Sequence, residues 1–504
     1  MRQRKKTKIY VIFTSTGLDH RGSWDASDIE RKVIKNEEIL SELEKRCEGV
    51  EFVGKVNIIK EEEKELISRS HYGMTEEERK HISEIYEESR RRYESAIKDV
   101  RRLREDLDGI LIFGPPSEEL ISIGLPIIAV FPLWGRWMEN IFEFGDKGKK
   151  ILTSCLPVVR DKDRRVFSSR LEDIAGKIKL IQAISKMKGL RVLVVTDRPV
   201  LGEYEPTPRQ TGSDREGYEK VYLNNLGEVF GVKLVPIPQE ELFEETNKTE
   251  EREAREVAEK WINEAEGMKD TNEAEVLKSA KLYLAMKRLM KKYECDAITT
   301  EGYGVFADYH KGPIPSQGLP SSQFCTDGIV ATSETLIDSL ITQQLGLYVT
   351  GRPSFNGDYL IDPHNNIAII GHCECPFNPY GDERRCPYII RNLPRWKKNE
   401  GGACVQVNLP IGETVTVVKI SVHDKKISLF TGKTVSGKEF FDEWDDLACR
   451  TKIAIKTNTK ALIKNLDSKT FGDHRVVFYG DFREKFKDLA TLIGFEVVEE
   501  DIEK

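Results

Sequence analysis

Through residue 350 the chain alternates short, unbroken apolar runs with longer amphipathic stretches, and few architectures accommodate that pattern. Lys8–Thr14 (KIYVIFT), Asp108–Gly114 (DGILIFG) and Leu125–Leu133 (LPIIAVFPL) are apolar at nearly every position, as strands are when both faces are covered. Lys150–Val159 is a further candidate, and the charged segment 61–106 between these runs reads as helix with a solvated face. Arg191–Thr196 (RVLVVT) restarts the pattern. Helices are expected over 217–230 and 273–293, an exposed acidic helix over 240–266, and a strand over Cys295–Thr300. Beyond residue 350 the texture changes to short β-rich runs, among them Glu413–Val422, Lys426–Phe430, Thr451–Lys456 and His474–Tyr479.

The expected fold class is therefore α/β: two Rossmann-like doubly wound domains, 1–185 and 186–350, followed by a β-rich, barrel-like C-terminal domain, 351–504. The loop after the first strand, 15–23, lacks GxGxxG, so a dinucleotide site has no support.

Charged residues make up 32% of the 504 and the net charge is -7, which disfavours nucleic acid as a partner. No apolar run is long enough to span a bilayer, and the basic N-terminus precedes a strand-like segment rather than a signal sequence. A cytoplasmic protein with no membrane partner is expected. Nine cysteines, an odd number spread over a long chain, argue for reduced thiols. Four of them, Cys373, Cys375, Cys386 and Cys404, lie close enough in sequence for a structural zinc site, although their spacing is not that of paired CxxC knuckles.

The chemistry concentrates in Cys325–Cys373. Glu334 precedes an apolar helical run (Leu336, Ile337, Leu340, Ile341, Leu345) and is expected in that helix's first turn, where the dipole favours an acid. Asp358 follows the turn Arg-Pro-Ser-Phe-Asn-Gly and enters a strand, and His372 closes the apolar run Ile367–Ile370. Glu301 ends the Cys295–Thr300 strand. Each has an ordinary structural reading: a dipole partner, a turn residue, a core histidine. Trp134 and Trp137 around Arg136 suit a sugar-stacking wall, and equally an interface or a core plug.

Glu334, Asp358 after its turn, His372-Cys373 at a strand end and the late Gly472-Asp473-His474-Arg475 occur in the order seen in the L-fucose isomerase family and, more loosely, L-arabinose isomerase. Over 325–375 and 447–485 the chain resembles that family. The resemblance implies a metal-dependent aldose–ketose isomerase acting on a pentose or deoxyhexose through an enediol. Mn²⁺ would be held by Glu334, Asp358 and His474, and Glu334 and Asp358 would carry the catalytic proton. It also implies a sugar pocket touching His372, Glu301, Trp444 or Arg450, with Trp396 nearby in sequence, and a homo-oligomer, hexamer or trimer. The rivals are a sugar epimerase, and a non-catalytic sugar-binding or sensor protein on the same scaffold. In this chain Leu336 stands where relatives usually have an acid, and His474 is single where they often have a pair.

Overall fold

In the strands Thr7–Phe13, Gly109–Phe113 and Ile127–Phe131 buried side chains occupy both faces, as they do in a covered parallel sheet. The computed structural model of the chain describes residues 6–14, 36–60, 62–63, 74–131, 149–155, 164–197, 215–301, 315–393 and 402–503. Trp134, Arg136, Trp137 and Trp396 lie outside them. The chain divides into two compact units, Met1–Lys186 with Lys485–Phe495, and Met187–Glu484 with Glu496–Lys504.

The first unit holds β1 (Thr7–Phe13), β2 (Val50–Asn57), β3 (Gly109–Phe113), β4 (Ile127–Phe131) and β5 (Ile151–Cys155), in the order β2-β1-β3-β4-β5. All four pairings are parallel. Every residue of β3 and β4 is buried, which explains their lack of polar alternation. The helix Glu76–Arg102 starts at a capping box between Thr75 and Glu78 and buries Ile82, Ile85, Ala96, Ile97 and Val100; its charges face solvent.

The second unit begins with β6 (Arg191–Val195), β7 (Lys233–Ile237), β8 (Gly267–Lys269), β9 (Ala297–Thr300) and β10 (Ala331–Thr332). Four of them form a second parallel sheet, β10-β9-β6-β7. The acidic stretch expected as one exposed helix is two, Gln239–Lys248 and Glu251–Glu264. They bury Leu242, Ala254, Ala258 and Trp261, so the acids are only their outer faces.

Next come β11 (Phe355–Asp362), β12 (Ile367–His372), β13 (Tyr388–Arg391), β14 (Cys404–Val407), β15 (Thr414–Ser421), β16 (Lys426–Val435), β17 (Thr451–Lys456), β18 (His474–Tyr479) and β19 (Glu496–Glu499). Six of these close on themselves as an antiparallel barrel, β15-β18-β11-β12-β17-β16 and back to β15. Closure leaves none of the six with two bare edges. β19 adds to β16 in parallel, while β14, β13 and β8 make a small separate sheet.

The helix Ile337–Thr350 packs on β15 and β18. Its residues from Ile337 through Gly346 are all buried, so it is a core helix rather than an amphipathic one. Polar contacts fix its position: the Ile420 N–H donates to Thr342 Oγ1 at 3.0 Å and Lys419 Nζ donates to Ser339 Oγ at 2.6 Å. Gly346 sits against the Phe478 ring so closely that a Cβ would overlap the ring carbons. Gly346→Ala is therefore expected to destabilise the protein by about 1–3 kcal/mol through overpacking, against its gain in helix propensity. Chemical denaturation checks this, and an unchanged midpoint would mean that the ring moves aside freely.

Candidate metal centre

Four separate stretches of the second unit meet at one point, one delivering its side chain from a turn and three from strands. Glu334 comes from the turn between β10 and the helix Ile337–Thr350. It was expected inside the first helical turn, but the helix begins at Ile337, and Glu334 and Thr335 both adopt left-handed backbone, φ 65° and 51°. Two tethers account for this. The Thr335 N–H donates to the carbonyl of Thr300, at the end of β9, at 2.9 Å, and the Ser333 N–H donates to Glu374 Oε1 at 3.3 Å. Left-handed backbone at two non-glycine residues costs energy that tertiary contacts must offset, and such strain concentrates at functional sites.

Asp358 and His474 arrive by sheet register. They are directly paired across β11 and β18, so their side chains share a face. On Asp358's other side stands Gly371, which has no side chain to fill the space. His372 follows Gly371 at the end of β12, and its ring centroid lies 5.6 Å from that of His474.

The distances are those of ligands around a small volume. His474 Nε2 is 3.6 Å from Glu334 Oε2 and 3.5 Å from Asp358 Oδ1. His372 Nε2 is 4.0 Å from Glu334 Oε1, and its Nδ1 is 3.8 Å from Glu374 Oε1. Ligating atoms of Glu334, His372 and His474 all lie within 4.8 Å of one another. Both histidines are buried, and neither His474 Nε2 nor His372 Nδ1 has a hydrogen-bond partner among the described residues. Unpartnered ring nitrogens in a buried site are costly unless something else binds them. The group Glu334, His372 and His474 could hold a metal ion.

The two imidazoles differ in charge. Burial first, then His372, Lys419 and Arg475, hold His474 well below the ordinary histidine range, so it is neutral and offers a lone pair. Burial also opposes charge on His372, yet Glu374, Glu334, Cys449 and Asp358 together raise it to about 9, leaving it a cation near neutral pH. Asp358, half exposed, is raised by partial burial, with His372 and Cys449 opposing and Asp473 adding to the effect. A neutral imidazole flanked by two carboxylates is a hard-to-borderline N/O donor set.

The remaining sequence candidates lie elsewhere. Glu301 is buried at the end of β9, accepting from Thr196 Oγ1 at 2.6 Å and Gln239 Nε2 at 2.5 Å, which ties together the carboxyl ends of β9 and β6. Trp444 packs on Ile367, Ile369 and Ala454. Arg450 donates to the Asn392 carbonyl at 3.0 Å and to Asn392 Oδ1 at 2.8 Å. Both line a cavity of about 170 Å³ that includes Lys452 and Gln406 but none of the four converging residues. Glu374 and Cys449, the latter with Sγ 3.8 Å from Asp358 Oδ2, were not anticipated. Glu374 had one available signal, its place two residues after His372. No known protein family matches the chain, and none of the curated proteins compared with it is similar to it.

Proposed function

We propose that the protein is a metal-dependent aldose–ketose isomerase acting on a pentose or deoxyhexose, with Mn²⁺ the best-suited ion. The observation that carries this reading is the convergence of Glu334 and Asp358 on the neutral Nε2 of His474. Two carboxylates and one imidazole suit Mn²⁺ and leave positions for a sugar's oxygens. When bound, such an ion polarises the sugar carbonyl and stabilises negative charge on its oxygen.

The side chains divide the remaining work. Moving the carbonyl from C1 to C2 requires one proton to pass from C2 to C1 and one from the C2 hydroxyl to O1. Asp358 is the better carrier, being partly exposed and raised in pKa, since a general base works best near the working pH. Glu334 is fixed by its turn and serves on the other side. His372, held as a cation by Glu374 and Glu334, donates a hydrogen bond to a substrate oxygen and orients it.

The test is a metal-supplemented screen of aldopentoses and deoxyhexoses, including L-fucose, D-arabinose and L-arabinose, with ketose formation as the readout. Turnover that requires Mn²⁺ and is lost in Glu334→Gln and Asp358→Asn is expected. Ketose formed equally well by both variants would overturn the assignment. Sugar binding without turnover, unchanged by chelation, would indicate a sensor instead.

A further inference from the structure

The cavity that Trp444 and Arg450 line has an unbalanced wall. Three cations stand on it, Lys438, Arg450 and Lys452, against one carboxylate, Asp445. Two of the cations are already matched: Lys438 Nζ lies 2.8 Å from Asp445 Oδ2, and Arg450 Nη1 lies 3.3 Å from Asp446 Oδ1. Lys452 is the exception. It is only 9% exposed, and its ammonium donates to the carbonyls of Cys449 at 2.5 Å and Arg450 at 3.5 Å. Among the described residues no carboxylate is in ion-pair contact with it. Its Nζ also lies 5.5 Å from the centre of the Trp444 ring. Carbonyls and a ring face solvate an ammonium without neutralising it, and a buried charge gains more from a counter-ion than one in water does.

The rest of the wall says what kind of counter-ion fits. Leu409, Ile411, Val435 and Trp444 are apolar, so the cationic end is continued by a surface suited to carbon. One unmatched cation calls for one negative charge, which a carboxylate supplies without the further oxygens of a phosphate. The cavity is small. Its volume of about 170 Å³ admits roughly six non-hydrogen atoms, at about 30 Å³ for each group the size of a water molecule. Ile411 and Lys438 are exposed and stand on its solvent side.

We propose that this cavity binds a small monocarboxylate of about three to five carbons, with its carboxylate on Lys452 and its carbon chain against Trp444 and Val435. The site borders the metal centre without sharing a residue with it. Lys452 and Thr451 on β17 pair with Gly371 and His372 on β12, yet Glu334, Asp358, His372 and His474 are absent from the cavity wall. Binding here therefore does not depend on the isomerase reading.

The test is calorimetric titration of the whole chain with butyrate and with L-lactate at low ionic strength. Butyramide serves as the uncharged counterpart, and inorganic phosphate and glycerol 3-phosphate as competing oxyanions. About one equivalent of at least one acid should bind, with butyramide weaker by roughly tenfold or more. Lys452→Met should weaken acid binding to the same degree. Ile411→Glu, at an exposed position, should weaken it several-fold by repulsion while the thermal melt stays unchanged. Acid binding should persist in Glu334→Gln and in the presence of a chelator, which separates this site from a carboxylate seated on a metal at the neighbouring one. If Lys452→Met does not fold, the butyramide comparison and Ile411→Glu decide alone. Failure of both acids to bind, equal binding of butyramide, unchanged binding in Lys452→Met, loss of binding on chelation, or a preference for either phosphate would overturn the proposal. If the acids bind as expected but no sugar is isomerised, the carboxylate site stands and the isomerase reading falls.

Discussion

Glu334→Gln is expected to abolish tight Mn²⁺ binding and to lower ketose formation by roughly 10²–10⁴-fold, the range over which a positioned acid or base acts. The variant keeps the size of the side chain and removes the charge, so loss through misfolding is unlike the result anticipated. Glu334→Gly separates function from stability more sharply. Glu334 has φ 65° and Thr335 φ 51°, backbone that glycine adopts without a Cβ penalty. Glu334→Gly should therefore lose metal and activity as completely as glutamine does, yet gain on the order of 1 kcal/mol in unfolding free energy. Calorimetric metal titration and denaturant melts of the metal-free proteins decide both halves. A glycine variant less stable than the parent would mean that the Glu334 side chain supports the fold through its own contacts, and that the turn is not strained on behalf of the site.

How far the site could be read in advance depends on which interactions fix it. Asp358, His372 and His474 sit on strands that local apolar patterning marks, and their rank as candidates follows from strand-end position. Their convergence is another matter. The pairing of Asp358 with His474 joins segments more than a hundred residues apart, and no local pattern encodes register across that distance. Glu334 illustrates the opposite failure. Ser-Glu-Thr before an apolar run reads as a helix start, but the bonds from Thr335 to the Thr300 carbonyl and from Ser333 to Glu374 impose left-handed backbone, so tertiary contacts override propensity. The closed barrel was legible as β-rich sequence with polar turns, whereas its closure through β15 and β16 was not.

Arg475→Met is expected to cost about 3–5 kcal/mol of stability, since it leaves a buried carboxylate without its partner. Arg475 and Glu500 are both fully buried, with Nη2 2.9 Å from Oε1. The guanidinium is further committed: Nη1 lies 3.3, 3.1 and 3.0 Å from the carbonyls of Phe471, Gly472 and His474, and Cζ lies 4.7 Å from the centre of the Tyr359 ring. These contacts fasten the entry to β18, the strand that presents His474, and they border β11 next to Asp358. The pair should thus matter to the metal centre through position rather than charge transfer. Glu500→Gln, which retains an acceptor for Arg475, should cost less than Arg475→Met. The double variant Arg475→Met/Glu500→Leu should recover much of the loss, because replacing both buried ions with apolar groups avoids the desolvation that burdens either single charge. Urea denaturation of the three variants gives these values, and Mn²⁺ titration of the double variant gives the positional effect. Recovered stability with weakened metal binding would locate the pair's role in holding His474. A double variant as unstable as Arg475→Met alone would show instead that the carbonyl and ring contacts of Arg475, not its pairing with Glu500, hold β18 in place.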